Sequence, residues 1–141
     1  MDTYTVLLID DENKLRHLLK RIISLEGFTI VEANNLKDAR SALQKNNIDI
    51  ILCDVKLPDG NGVDFVSFVR SSYINVPIIL LTAFGNIADG VQAMKNGAFD
   101  YIIKGDDNEK VVPLLHRAAE LVTIQKKLAN LQSRLGKQYS F

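Results

Sequence analysis

The sequence predicts a doubly wound α/β fold: a five-stranded parallel sheet with helices on both faces and a C-terminal helical extension. Two observations carry that prediction. Short apolar runs rich in β-branched residues alternate along the chain with segments whose apolar residues recur three and four apart. Several of those runs are apolar without alternation, notably at 50–53 and 78–81, as strands buried on both faces must be.

The first strand is expected at residues 4–9, followed by a helix whose apolar face is Leu15, Leu18, Leu19, Ile22 and Ile23. Gly27 stands where a left-handed C-terminal cap belongs. A second strand at 28–33 leads to a helix facing inward through Leu36, Ala39, Ala42 and Leu43, which Asn46 and Asn47 terminate. The third strand, 48–53, runs into the turn cluster LPDGNG at 57–62 and then a helix with Phe65, Val66 and Val69 inward. A fourth strand at 76–81 precedes a helix with Ile87, Val91 and Met94 as its apolar face and Gly97 as its cap; a fifth strand follows at 99–103. Pro113 falls early in the last helical pattern, so a late start or a kink is expected there.

The 141 residues, 47% hydrophobic and 24% charged, exclude disorder, collagen-like repeats and a disulfide scaffold. Cys53 has no partner for an intrachain bridge, and no apolar run approaches the ~18 residues of a membrane span. With no leader pattern at the start, a cytoplasmic protein with no membrane contact is expected. Charge divides the chain. Residues 1–120 hold 13 bases and 17 acids (13 − 17 = −4), whereas 121–141 hold four bases and no acid. An acidic globular domain, 1–120, followed by a basic helical segment, 121–141, is the expected organisation, with no direct nucleic-acid binding.

Leu121, Ile124, Leu128, Leu131 and Leu135 repeat at three and four, the a and d positions of a heptad. A coiled-coil homodimer through 108–135 is the expected use, against the alternative that the segment packs back on its own domain. The g positions Lys127 and Arg134 face Gln125 and Gln132, so ion pairs add nothing, and Gly136 is expected to end the helix.

In a doubly wound sheet the carboxyl ends of adjacent parallel strands open into one crevice, where ligands bind. Asp10 and Asp11 follow the first strand, Asp54 the third, Thr82 the fourth and Lys104 the fifth. Crowded carboxylates raise one another's pKa unless a cation neutralises them. Carboxylate, carbonyl and water oxygens suit Mg²⁺. A carboxylate beside Mg²⁺ and a lysine can attack a phosphoryl group and hold it as a mixed anhydride, and Asp54 is the expected nucleophile.

The segments VLLIDDE, ILCDVKLPDGNG, IILLTAFG and GAFDYIIKG lie in the order and spacing of the CheY-like response-regulator receiver domains, which residues 4–120 resemble. The resemblance implies a flavodoxin-like strand order of 2-1-3-4-5 and phosphorylation of Asp54 by a sensor histidine kinase. It implies Mg²⁺ on Asp11, Asp54 and the backbone carbonyl of Lys56, with Asp10 assisting through water. Thr82 and Lys104 would bind the phosphoryl oxygens, and Tyr101 would reorient on activation. Gly105 departs from the family's usual proline, for which altered switching with phosphorylation retained is expected. The helix running into GKQYSF resembles the linker of NtrC-like regulators, in which a AAA+ ATPase working with sigma-54 and a DNA-binding domain follow. Such a chain is a signalling switch rather than an enzyme. Two other readings are a Mg²⁺-dependent phosphohydrolase, for which no general acid or cap domain is visible, and a pseudo-receiver dimerisation scaffold, against which the Asp11, Asp54, Thr82 and Lys104 set argues.

Isolated features have plainer explanations. Asp10 and Asp11 could cap the first helix, and Thr82, Lys104 and Tyr101 could be a strand end, a solvated charge and a packed aromatic. Cys53 reads as a small core residue, and His17 and His116 as surface residues without metal spacing.

Overall fold

The computed structural model describes residues 3–83, 86–105 and 108–138. In chain order the elements are β1 (Thr5–Ile9), α1 (Asn13–Leu25), β2 (Thr29–Ala33), α2 (Leu36–Lys45), β3 (Ile50–Asp54), β4 (Lys56–Leu57), β5 (Gly60–Asn61), α3 (Gly62–Ser72), β6 (Ile78–Thr82), α4 (Ile87–Asn96), β7 (Asp100–Ile103) and α5 (Val111–Gln138). Strands β2-β1-β3-β6-β7 form one parallel sheet. With the two-residue strands β4 and β5 set aside, this is the expected order 2-1-3-4-5. Those two short strands pair antiparallel inside the segment the sequence marks as a turn, Lys56 opposite Asn61.

Burial follows strand position. Every residue of the central strands β3 and β6 is buried, whereas the edge strands β2 and β7 are mostly half-buried or exposed, with one buried residue each. Alternate side chains feed two cores. Leu7, Ile9, Ile51, Ile78 and Leu80 pack with α2, α3 and α4; Val6, Leu8, Ile50, Leu52, Ile79 and Leu81 pack with α1 and α5.

The helix signals are borne out unevenly. Leu36, Ala39, Ala42 and Leu43 of α2 are buried, as are Phe65, Val66 and Val69 of α3. In α1, Leu19 and Ile23 are buried while Leu18 is 45% exposed. Helix α4 reverses the expectation. Ile87, Val91 and Met94 are exposed, and the buried residues are Gly90 and Ala93. Small residues face inward because the helix lies close over Tyr101: a Cβ at Gly90 would sit 2.7 Å from that ring. A periodicity that counts bulky apolar residues selects the wrong face of such a helix.

The last helix also departs from expectation. Pro113 is its third residue, in the first turn, where N–H groups have no intrahelical partner, so it forces neither a late start nor a break. Gly136 does not end the helix, which continues to Gln138. Its exposed position makes glycine there a cost of only about 1 kcal/mol. Val111, Leu114, Leu115, Ala118, Ala119 and Val122 are buried against the sheet. Farther along, the Tyr4 hydroxyl bonds Thr123 Oγ1, and Lys126 Nζ lies 3.3 Å from Asp49 Oδ1 and 5.4 Å from the Tyr4 ring centroid. Asp49 is itself fixed, its Oδ2 accepting the Thr5 N–H at 2.8 Å. Beyond this clamp Leu128, Leu131 and Leu135 are exposed, as is Ile124. Among the described residues, no helix is long and apolar enough to cross a membrane.

If α4 packs through its small residues, Gly90→Ala lowers unfolding free energy by about 1–3 kcal/mol in chemical denaturation, although alanine is the better helix former. Ile87→Ser at the exposed face shifts it by less than about 0.5 kcal/mol.

Candidate functional site

The parallel sheet delivers the expected residues to one edge. β1 ends before Asp10 and Asp11, β3 ends in Asp54, β6 ends in Thr82, and β7 ends just before Lys104. Register holds them together: Ile9 pairs with Cys53, Asp54 with Leu81, and Thr82 with Ile103. A cleft of about 270 Å³ opens there, lined by Asp11, Glu12, Asp54, Lys56, Asn86 and Lys104 among others.

Lys104 is the centre of this edge. Its Nζ lies 2.7 Å from Asp54 Oδ2, 2.8 Å from Glu12 Oε2 and 3.4 Å from Asp10 Oδ1. Burial drives its pKa down, but the hydrogen bonds to Asp54 and Glu12 outweigh that and hold it above the ordinary lysine value. Glu12 was not singled out in the sequence, although it directly follows the acidic pair.

The carboxylates differ in environment. Asp10 is fully buried, and burial lifts its pKa from 3.8 to about 6 despite the Glu12 N–H it accepts at 2.9 Å and the nearby ammonium. Burial also raises Asp54, again against Lys104. Asp11 is exposed. Neither Asp10 nor Asp11 caps α1: the N-cap position is Glu12, without a side-chain capping bond.

Thr82 is buried, its hydroxyl donating a long 3.5 Å bond to the Ile102 carbonyl. Tyr101 is half-buried against Gly90. Gly105 has φ +86°, a conformation closed to proline, whose ring fixes φ near −65°. Lys104 reaches Asp54 with that backbone. Asp106 and Asp107 lie outside the described residues. Cys53 is buried beneath the site, its thiol pushed well up by burial and by Asp54 and Asp10, as an inert core residue should be. His17 is exposed, and His116 packs 5.3 Å from the Phe28 ring.

The donor set fits a hard divalent cation. One ligand oxygen each from Asp10, Asp11 and Asp54 lies within 4.8 Å of the others. Asp10 Oδ2 is buried with no hydrogen-bond partner, and burial holds the Asp10 and Asp54 carboxyls above their ordinary pKa. One lysine leaves that charge undercompensated.

A doubly wound sheet presenting clustered carboxylates and a lysine at its carboxyl edge defines an α/β domain with an acidic pocket there. The chain belongs to the response regulator receiver domain family, whose model matches residues 6–116. It is 30% identical over 136 residues to the regulatory protein AtoC of Escherichia coli, covering 96% of this chain and 30% of that protein. It is 32% identical over 135 residues to the response regulator protein PilR of Pseudomonas aeruginosa, with 96% and 30% covered. The chain thus spans about a third of the length of these NtrC-like relatives and matches their receiver region. Among solved structures, the signal receiver domain of a LuxO repressor protein from Vibrio parahaemolyticus superimposes with a TM-score of 0.83 at 23% identity, covering 90% of this chain and 98% of that one. The receiver domain of NtrX from Brucella abortus gives 0.77 at 26% identity, with 82% and 98% covered.

The raised pKa of Asp10 has a definite sign. The folded protein holds this proton more tightly than the unfolded chain, so the group costs stability increasingly as pH rises from about 4 to about 6, and fully above that. In metal-free protein Asp10→Asn is therefore more stable than wild type at pH 7, by about 1–3 kcal/mol, and the gap closes toward pH 4. Urea unfolding in chelator across that range measures it; a gap that does not change with pH would contradict it.

Proposed function

We propose that this chain is a phosphoryl-accepting switch in two-component signalling, taking a phosphoryl group from a sensor histidine kinase onto Asp54. The observation that carries the reading is the 2.7 Å contact of Lys104 with Asp54 at the edge where the three aspartates gather. A carboxylate oxygen of Asp54 attacks phosphorus, the bond to the donor's imidazole nitrogen breaks with its electron pair leaving on that nitrogen, and an acyl phosphate remains. Lys104, already charged and within reach, meets the negative charge on the transferring oxygens. Thr82 contributes its hydroxyl, which its single long bond leaves free to turn. Asp10, Asp11, Asp54 and the Lys56 carbonyl are the groups that would hold Mg²⁺. When bound, the ion supplies positive charge that offsets the phosphoryl oxygens.

The acyl phosphate places a new anion beside Thr82, and its hydroxyl moves toward it. Tyr101 then turns inward, remodelling the surface of α4, β7 and α5. The receiver is residues 1–120, and 121–141 is the linker. Within the 108–135 segment, residues 111–122 pack on the domain itself, and the exposed Ile124, Leu128, Leu131 and Leu135 beyond them support the homodimer. In the full-length regulator, output passes through this helix to a AAA+ ATPase working with sigma-54 and to a DNA-binding domain, all in the cytoplasm.

Incubation with acetyl phosphate and Mg²⁺ adds one phosphoryl mass to the wild type and none to Asp54→Asn, and chelation of Mg²⁺ abolishes the gain. Equal gain in both proteins, or none in either, would remove Asp54 as acceptor. Sedimentation across a concentration series shows self-association that Leu128→Lys weakens by at least about tenfold, since it buries a charge in the seam. A monomer at all concentrations would dismiss the dimer.

A further inference from the structure

The hairpin between Asp54 and α3 is tied to a distant element. Asp59, at its tip between β4 and β5, accepts the backbone N–H of Leu36 at 2.8 Å and of Lys37 at 3.0 Å. These are the first two residues of α2, whose N–H groups have no partner within the helix. The helix has its own cap as well: Asn35 Oδ1 accepts the Asp38 N–H at 2.7 Å. The two backbone bonds from Leu36 and Lys37 hold the Asp59 carboxyl below its ordinary pKa, so the tether is in its charged form at neutral pH.

Packing reinforces the tether. A Cβ at Gly60 would sit 2.7 Å from Leu36 Cδ1, so the hairpin tip lies directly on the first residue of α2. At the base, the Gly62 N–H donates to the Val55 carbonyl at 2.7 Å, and a Cβ at Gly62 would collide with the Asp54 carbonyl. Lys56 lies between these two fixed points, paired with Asn61.

We propose that Asp59 is a positioning residue for the Asp54 site: by tying the hairpin tip to α2, it keeps the Lys56 carbonyl in place as a cation ligand. This rests on the function proposed above. Mg²⁺ demands near-ideal octahedral donors, so a carbonyl on a loop serves it only if that loop is ordered before the ion arrives. Asp59 touches neither the ion nor the phosphoryl group. It acts through three residues of backbone.

The experiment compares wild type, Asp59→Ala, Asp59→Asn and Asn35→Ala by calorimetric titration with Mg²⁺, together with hydrogen exchange at 55–62 in the metal-free proteins. Asn35→Ala is the control because it strips a cap from the same helix end without touching the hairpin. Asp59→Ala weakens Mg²⁺ binding about three- to tenfold, less than loss of a group bonded directly to a ligand, and speeds exchange at 55–62. Asp59→Asn, which keeps one acceptor oxygen, falls between. Asn35→Ala stays within about twofold of wild type in Mg²⁺ affinity. Unchanged affinity in Asp59→Ala, or equal weakening in Asn35→Ala, would reduce Asp59 to a helix cap and overturn the proposal. Wild-type protein that binds no Mg²⁺, or binds it as well with Asp54→Asn, overturns the site reading itself, and this inference falls with it.

Discussion

Like charges gathered at the end of a buried sheet repel one another and lose hydration, and one lysine holds this edge together. Lys104 reaches Asp10, Glu12 and Asp54 at once, from the far side of a sheet in which β3 and β6 separate β1 from β7. Its charge offsets the lost hydration, and the smaller mutual repulsion, only in part. Asp10 and Asp54 still sit above their ordinary pKa, and Asp10 Oδ2 still lacks a partner. In the proposed function, an edge built this way would release free energy on meeting a divalent cation and would afterwards accommodate a new anion. On that proposal, cation affinity and response to phosphorylation would share one origin in this incomplete neutralisation.

The rest of the fold serves to place those groups at one edge. Burial of β3 and β6 on both faces fixes register, which sets Asp54 opposite Leu81 and Thr82 opposite Ile103, so that Asp54, Thr82 and Lys104 leave the sheet within two residues of one level. The small face of α4 belongs to the same scheme. With Gly90 against the Tyr101 ring, the helix sits low over β7, and its larger apolar residues are turned outward onto the surface that the proposed switch would remodel.

Much of this was legible in the sequence because the signals were redundant. Unbroken apolar runs gave the central strands, and acidic or polar residues at their ends gave the site, since side chains at parallel strand termini have only one crevice to enter. Strand order came through family resemblance. What escaped was whatever depended on close approach. The inward face of α4 was hidden because glycine and alanine carry little hydrophobic signal. Glu12 and Asp59 went unremarked because a charged residue in a loop usually faces solvent, and only the folded backbone shows what lies opposite. Gly136 looked like a stop and is an ordinary helical residue in an exposed turn. The clamp of Tyr4, Asp49, Thr123 and Lys126 joins residues more than seventy positions apart, a separation no local pattern records.

That clamp also gives α5 the mechanics of a lever. At 1.5 Å per residue the 28-residue helix is about 42 Å long, with about 18 Å of it projecting past Lys126. The pivot lies at the bottom of the sheet, opposite the acidic edge, so the arm inside the domain and the arm outside it are of comparable length. A rotation of about ten degrees at the pivot displaces the free tip by about 3 Å, which is more than half the pitch of a helical turn. With arms of comparable length the helix would transmit rather than amplify: a displacement of the arm inside the domain would reach the free tip at about its own size and in the opposite sense, carried there by the stiffness of an unbroken helix.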